Sequence, residues 1–220
     1  MSEVLERRAV PRPVAFRAAP EGSASPGILD GYGAVFNSTS RDLGGWFEEI
    51  DPRAFGEPGE DTGLDLSLHT RVIARSEHDS RYLLGTTDAE TLRLFVDEVG
   101  LRYEIDLPNT TAGRDAAVLA DRGDYRFSSF AFYTLPGGAE WREDAEGRLI
   151  RRVTQARLVD VAPVADPAYW EASTGLRSLD LDAIRASIQR ADAEAVPSMR
   201  DRVAVTARAH HITTILKGGR

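Results

Sequence analysis

The sequence predicts an α+β fold: a strand-rich, barrel-like sheet with one central helix, followed by a C-terminal tail that is helical or disordered. Three observations carry this. Short segments with period-two alternation, bounded by Gly, Pro, Asn and Asp, recur along residues 28–165. One segment in their midst, 110–122, has a capping threonine, apolar residues at helical spacing and a glycine stop. From Ser178 the charge balance and the periodicity both change.

Residues 1–13 read as a loose polar arm with Pro11 and Pro13, and 18–27 (AAPEGSASPG) as a loop. Residues 28–36 (ILDGYGAVF) form a strand with Ile28, Tyr32, Ala34 and Phe36 on one face; Gly31 and Gly33 mark a bulge or a close backbone approach. A polar loop covers 37–45, a short strand 46–50, and a helical turn 52–55; residues 57–63 are breakers. Further strands are expected at 64–68, 72–77, 82–86, 91–97 and 101–107, the last two joined as a hairpin across 97–100. Thr110 or Thr111 caps a helix through Arg122, packed through Ala116, Val118, Leu119 and Ala120 and ended by Gly123. Residues 127–135 and 151–165 are strands, with turns at 136–138 and 144–147 between them. In the tail, Leu181, Ile184 and Ile188 share one face of a helix that ends before Pro197. The stretch 199–220 is weakly amphipathic.

Of 220 residues, 42% are hydrophobic and 28% charged, a globular composition. No run of about 18 apolar residues is present to cross a membrane, and the first residues lack the apolar core of a signal peptide. With no cysteine, a disulfide scaffold, a thiolate metal site and a cysteine nucleophile are excluded, and a cytosolic setting fits. The net charge of −8 argues against a general nucleic-acid binder. Residues 178–220 carry five acids and seven bases, so the tail is positive and the body strongly negative.

Phosphate-binding, zincin, nucleophile-elbow and dinucleotide fingerprints are absent. Among the four histidines, His210 and His211 sit in the tail without a core face, and His69 reads as a surface residue at a strand end. His78, within Glu77-His78-Asp79, is either a turn residue or a functional group at a strand end. Ser129 and Ala131 leave room on one face of an aromatic strand whose other face carries Phe130 and Phe132; close packing and a reactive serine both account for this. Asp160 lies in an apolar strand, where alternation would put it with Leu158 and Ala162 on a solvated face unless it is paired. Ser, His and a carboxylate are the components of nucleophilic acyl transfer.

These residues sit inside an ordered series of motifs. Residues 31–37 (GYGAVFN), 42–50 (DLGGWFEEI) and 52–55 (PRAF) resemble the opening of the tailed-phage prohead, or capsid maturation, protease family. That family runs from a "GYAAVFN" strand through "DLGG" to "F-x-E-x-I-x-P-G-A-F". Glu77-His78-Asp79 with Leu84-Gly85 resembles its "N-H-D…L-G", and 100–108 (GLRYEIDLP) its "G-L-R-F-E-A-D-L-P". Arg114-Asp115 and 122–124 (RGD) resemble its helix, 129–132 (SFAF) its "S-F-G-F", and 158–161 (LVDV) through 167–169 (PAY) its "L-x-E-V-S-x-V…P-A-Y". The similarity spans about residues 28–170. Three positions depart from the family: Glu77 for Asn, Ala131 for Gly and Asp160 for the commoner Glu.

The resemblance implies a serine endopeptidase with a herpesvirus-assemblin-like fold. The family's histidine maps onto His78, its serine onto Ser129 and its acid onto Asp160, so these three should converge although 51 and 31 residues separate them in the chain. Composition, charge and periodicity together with the span of the resemblance divide the chain into an N-terminal arm (1–27), a serine protease domain (28–177) and a C-terminal helical tail (178–220). The substrates implied are the scaffold, the scaffold-like segment of the major capsid protein and the protease itself, inside the procapsid in the host cytoplasm. Self-association is implied, and cofactor, metal, nucleic acid and membrane are not. One alternative is a non-catalytic capsid-assembly or scaffolding protein on the same fold. Another is a metal hydrolase using His69, His78 and Asp79.

Overall fold

A computed structural model describes residues 4–57, 69, 71–166 and 179–195. The expected strand at 64–68, the motif at 167–169 and the stretch 199–220 lie outside these. The chain divides into two compact units, Met1–Leu179 and Asp180–Arg220.

The first unit is α+β and mostly strand. Its strands are β1 (Glu6–Val10), β2 (Ala15–Ala18), β3 (Gly27–Val35), β4 (Phe47–Ile50), β5 (Ile73–Arg75) and β6 (Leu83–Thr86). They continue as β7 (Leu92–Val96), β8 (Gly100–Asp106), β9 (Phe127–Thr134), β10 (Ala139–Glu143), β11 (Leu149–Val153) and β12 (Ala156–Val164). The helix α1 (Thr111–Asp121) lies between β8 and β9 in the chain. Among the described residues three sheets result, with strand orders β1-β9-β12-β5-β6, β10-β11-β4 and β2-β3-β8-β7. None closes on itself, so three open sheets around a shared core replace the single barrel-like sheet expected. Local alternation marks a strand but does not report ladder closure. Here β5 and β6 are three and four residues long, too short to carry a continuous ladder around a barrel.

The core draws Leu29 and Ala34 from β3, Leu101, Tyr103 and Ile105 from β8, and Phe130, Phe132, Leu158 and Val161 from β9 and β12. Phe130 and Phe132 stack at 5.1 Å, and Phe55 meets Phe130 edge-on at 5.8 Å. The bulge expected in β3 is present: register slips between Tyr32 and Ala34, at Gly33. Gly31 is a close approach as well, since a Cβ there would stand 2.5 Å from the Tyr103 hydroxyl.

Helix α1 starts where Thr110 Oγ1 accepts the Gly113 N–H (3.2 Å), and it stops at Gly123, whose φ is +77°. Its buried face is Gly113, Ala116, Ala117 and Ala120, small residues that let it lie close against β2, β3 and β6. Val118, expected in that contact, is 55% exposed on the other side.

Three strands escaped the sequence reading. The loose arm contains β1, paired antiparallel with β9, and β2 pairs with β3. β10 fills the interval expected to hold only turns, and its Trp141 meets Trp46 edge-on at 5.4 Å. The single strand expected at 151–165 is two, β11 and β12, broken at Thr154 and Gln155. β1 was hidden because its inward residues are charged. Glu6, Arg8 and Val10 point in. Arg8 bonds Glu48 (2.7 Å) and Glu6 (2.8 Å), and Arg151 bonds Glu6 (2.7 Å) and Glu48 (2.8 Å). This neutral group of four buried charges ties β1 to β4 and β11.

In the second unit, α2 (Leu181–Ala195) begins where Asp180 Oδ1 accepts the Ala183 N–H (2.9 Å). Leu181, Ile184 and Ile188 recur on one side of it, as the helical period predicts.

Burial pushes the Glu6 carboxyl up, but the Arg151 hydrogen bond and the charges of Arg151 and Arg8 outweigh it and hold it below its ordinary 4.5. Its contribution to stability is therefore full above about pH 4.5 and is lost as pH falls through the lower folded value. Glu6→Gln, which leaves Arg151 and Arg8 in excess, is expected to cost about 3–5 kcal/mol in denaturant unfolding. Its melting temperature should also fall less steeply than the wild type's on acidification below pH 4.5.

Candidate active site

Three neighbouring strands of the five-stranded sheet carry the site. Ser129 lies in the middle of β9, between β1 and β12. Phe130 and Phe132 anchor β9 in the core from one side, which turns Ser129 and Ala131 to the other. Ser128, on the core side, is fully buried and shares a hydrogen bond with Tyr103 Oη (2.8 Å). The two adjacent serines thus have opposite environments.

Asp160 reaches the Ser129 face through a break in alternation. Leu158 pairs with Phe132, but Asp160 pairs with Ala131, so Val159 is bulged out of register. Residues directly opposite on antiparallel strands share a face, so Leu158 points into the core with Phe132 while Asp160 points out with Ala131 and Ser129. The sequence expectation that Leu158, Asp160 and Ala162 share one solvated face is corrected on both counts. Leu158 is on the other face, and Asp160 is 1% exposed.

His78 is delivered by β5, which runs parallel to β12 with Ile73 opposite Asp160. After Arg75 the chain enters a tight 3-10 turn, Ser76–His78, in which Glu77 (φ 55°) and His78 (φ 57°) are both left-handed. Such a conformation costs a non-glycine residue about 1–2 kcal/mol. The turn is held by its surroundings. Ser76 Oγ shares a hydrogen bond with Tyr125 Oη (2.7 Å), Asp79 N–H donates to the Ser76 carbonyl (3.0 Å), and Ala165 N–H donates to Glu77 Oε1 (2.8 Å). Burial raises the Glu77 carboxyl above its usual range against the opposing pull of the Ala165 N–H. Asp79 turns away to solvent, where the Arg81 side chain lowers its carboxyl to about 2.

The three side chains form one series. His78 Nδ1 is 2.6 Å from Asp160 Oδ1, and His78 Nε2 is 2.6 Å from Ser129 Oγ. Asp160 Oδ2 accepts from Arg75 Nη1 at 3.0 Å. The sequence did not single out Arg75. The signal was there, because an acid in an apolar strand demands a cationic partner, but sequence spacing does not say which arginine supplies it.

Ser129 Oγ has a second neighbour, the Arg8 backbone carbonyl at 2.8 Å. A hydroxyl has one proton, so two arrangements exist. With Nδ1–H donated to a carboxylate Asp160, a neutral imidazole accepts the Ser129 proton at Nε2. When the imidazole is protonated, Nε2–H donates to Ser129 Oγ and the hydroxyl donates to the Arg8 carbonyl. The first arrangement is the one that nucleophilic attack by a hydroxyl with a neighbouring general base would require.

His69, expected on the surface, is 5% exposed. Its Nδ1 accepts the Leu158 N–H (3.0 Å) and its Nε2 bonds the Phe55 carbonyl (2.9 Å), so it ties β12 to the turn at 52–55. Both ring nitrogens are committed to backbone groups, which removes His69 from the alternative metal set with His78 and Asp79. Among the described residues no group of three or more His, Asp or Glu is placed to hold a metal ion. No described helix is long and apolar enough to cross a membrane. One groove, about 390 Å³, is lined by Arg8, Val10, Arg41, Leu43, Glu48 and Phe130, and a larger one, about 940 Å³, by Tyr82, Leu84, Thr91, Leu107 and Thr111 among others; His78 lines neither.

No curated protein and no solved structure matches the chain. Residues 15–186 match the family model of the caudovirus prohead serine protease. That match takes in β2 through β12 and with them Ser129, His78 and Asp160, so the chain belongs to the caudovirus prohead serine proteases and is a serine peptidase.

Proposed function

We propose that the chain is a procapsid maturation endopeptidase in which Ser129 is the nucleophile, His78 the general base and acid, and Asp160 the carboxylate that orients the imidazole. The observation that carries this reading is the unbroken series Ser129–His78–Asp160, with 2.6 Å at each step. Ser129 Oγ attacks a peptide carbonyl as His78 Nε2 takes its proton. The imidazolium, stabilised by Asp160 at Nδ1, then gives that proton to the leaving amine. Water deacylates the enzyme by the same route in reverse. An intact series of this kind also weighs against a purely structural role on the same fold.

The substrates in this reading are scaffold, the scaffold-like segment of the major capsid protein and the protease itself, cleaved within the procapsid in the host cytoplasm after self-association. The order of the motifs supports a fold relation to the herpesvirus assembly proteases. The positive tail, residues 178–220, docks the negative protease body to an acidic scaffold helix and is itself trimmed by self-cleavage.

Incubated with purified scaffold and capsid protein, the wild-type chain should cleave both, resist EDTA and lose activity to serine reagents. Ser129→Ala should lower the rate by about 10⁴–10⁶-fold with the fold intact. Retained cleavage in that variant would sink the assignment. Ser128→Ala should keep most of the activity while losing about 1–3 kcal/mol of stability, because it leaves the buried Tyr103 hydroxyl without its partner. A chain ending at residue 177 should still cleave substrate in solution but enter procapsids poorly. Normal packaging of the shortened chain would refute the docking role.

A further inference from the structure

We infer that Arg75 is a positioning residue of this site, holding Asp160 in the rotamer that His78 needs. The inference rests on the proposed Ser129–His78–Asp160 chemistry and extends it by one residue.

Asp160 is almost wholly buried, and both of its oxygens are taken: Oδ1 by His78 Nδ1 (2.6 Å) and Oδ2 by Arg75 Nη1 (3.0 Å). A buried carboxylate is costly in its charged form unless a cation or several hydrogen bonds offset it. A neutral imidazole supplies one hydrogen bond and no net charge. Arg75 supplies a full positive charge on a planar fork suited to a carboxylate. The contact also fixes rotation about the carboxylate axis. With Oδ2 held, Oδ1 is left facing the imidazole.

The backbone makes this a built arrangement. Asp160 pairs with Ile73 across the parallel β12–β5 ladder, and Arg75, two residues on, lies on the same face. Three residues later the same chain segment delivers His78. One strand and its turn therefore grip Asp160 from both sides, and a shift of β5 moves guanidinium and imidazole together. The Arg75 side chain is 24% exposed, so the pair is not sealed in the core.

The test reads activation of the serine directly, using a fluorophosphonate on the full chain. Ser129 Oγ bonds to phosphorus, fluoride leaves, and the hydroxyl proton passes to His78. In Arg75→Ala the limiting labelling rate should fall about 10–100-fold, as for loss of an outer partner that orients a reacting group. The concentration for half-maximal rate should stay within about twofold, because Arg75 does not touch the reagent. Millimolar methylguanidinium should recover at least about tenfold of the loss, a response that a merely weakened fold would not give. Should the alanine variant fail to fold, Arg75→Lys keeps the charge and loses the planar fork, and it should label about tenfold more slowly. A wild-type labelling rate in either folded variant, or a loss that methylguanidinium leaves unchanged, overturns the inference. Ser129→Ala, run in parallel, separates the two readings. If it still labels, the proposed nucleophile itself is wrong; if it does not and the Arg75 variants label normally, only the role of Arg75 fails.

Discussion

A buried carboxylate has to be surrounded, and in this molecule Asp160 is the one that the site is arranged around. Sequestered from water, it requires donors at both oxygens, and each donor constrains a different part of the chain. The bond to His78 demands a turn after β5 that places two successive residues in left-handed conformations. The bond to Arg75 demands that β5 run parallel to β12 in the register observed. Reaching the Ser129 face at all demands the bulge at Val159. Strand register, turn strain and bulge are separate local costs, and they converge on satisfying one side chain.

The same logic, applied to four charges, holds the sheets to each other. Glu6, Arg8, Glu48 and Arg151 are buried together and sum to zero. Trp46 lies beside both guanidinium groups, 6.0 Å from Arg8 and 5.9 Å from Arg151. Such a group adds little net stability over an apolar core of equal volume, but it does not tolerate the loss of a member. Two of its members lie on β1, whose register against β9 brings the Arg8 carbonyl within 2.8 Å of Ser129 Oγ. The N-terminal strand thereby reaches the site through its backbone, giving the serine proton somewhere to go when His78 is charged.

Much of the fold could be read from residues. Alternation located β3, β4, β6, β7, β8 and β9 to within a residue or two, and the Thr110 cap with Gly123 bounded α1. Those elements follow the rule that apolar residues face inward. The strands that were missed break it or are cut short. β1 turns charged residues inward, β2 is four residues long, and β10 is an edge strand with mostly polar, exposed side chains. His69 was misread for a related reason, since a polar ring in a polar stretch gives no sign that backbone groups of Leu158 and Phe55 will take both nitrogens.

What the sequence determined by itself was the inventory and its order: a serine between aromatic residues, a histidine at a strand end, an acid in an apolar strand, and the motif series that contains them. The physical basis is local, because periodicity, capping and turn chemistry act over a few residues. What only the tertiary structure decided was which of these groups meet. A one-residue bulge at Val159 reverses the face of Asp160, and no pattern of apolar residues announces it. The choice of Arg75 as its cationic partner, and of the Arg8 carbonyl beside Ser129, comes from pairing between strands 85 and 121 residues apart. Contacts at that separation are set by register across a sheet, and register is a property of the folded whole.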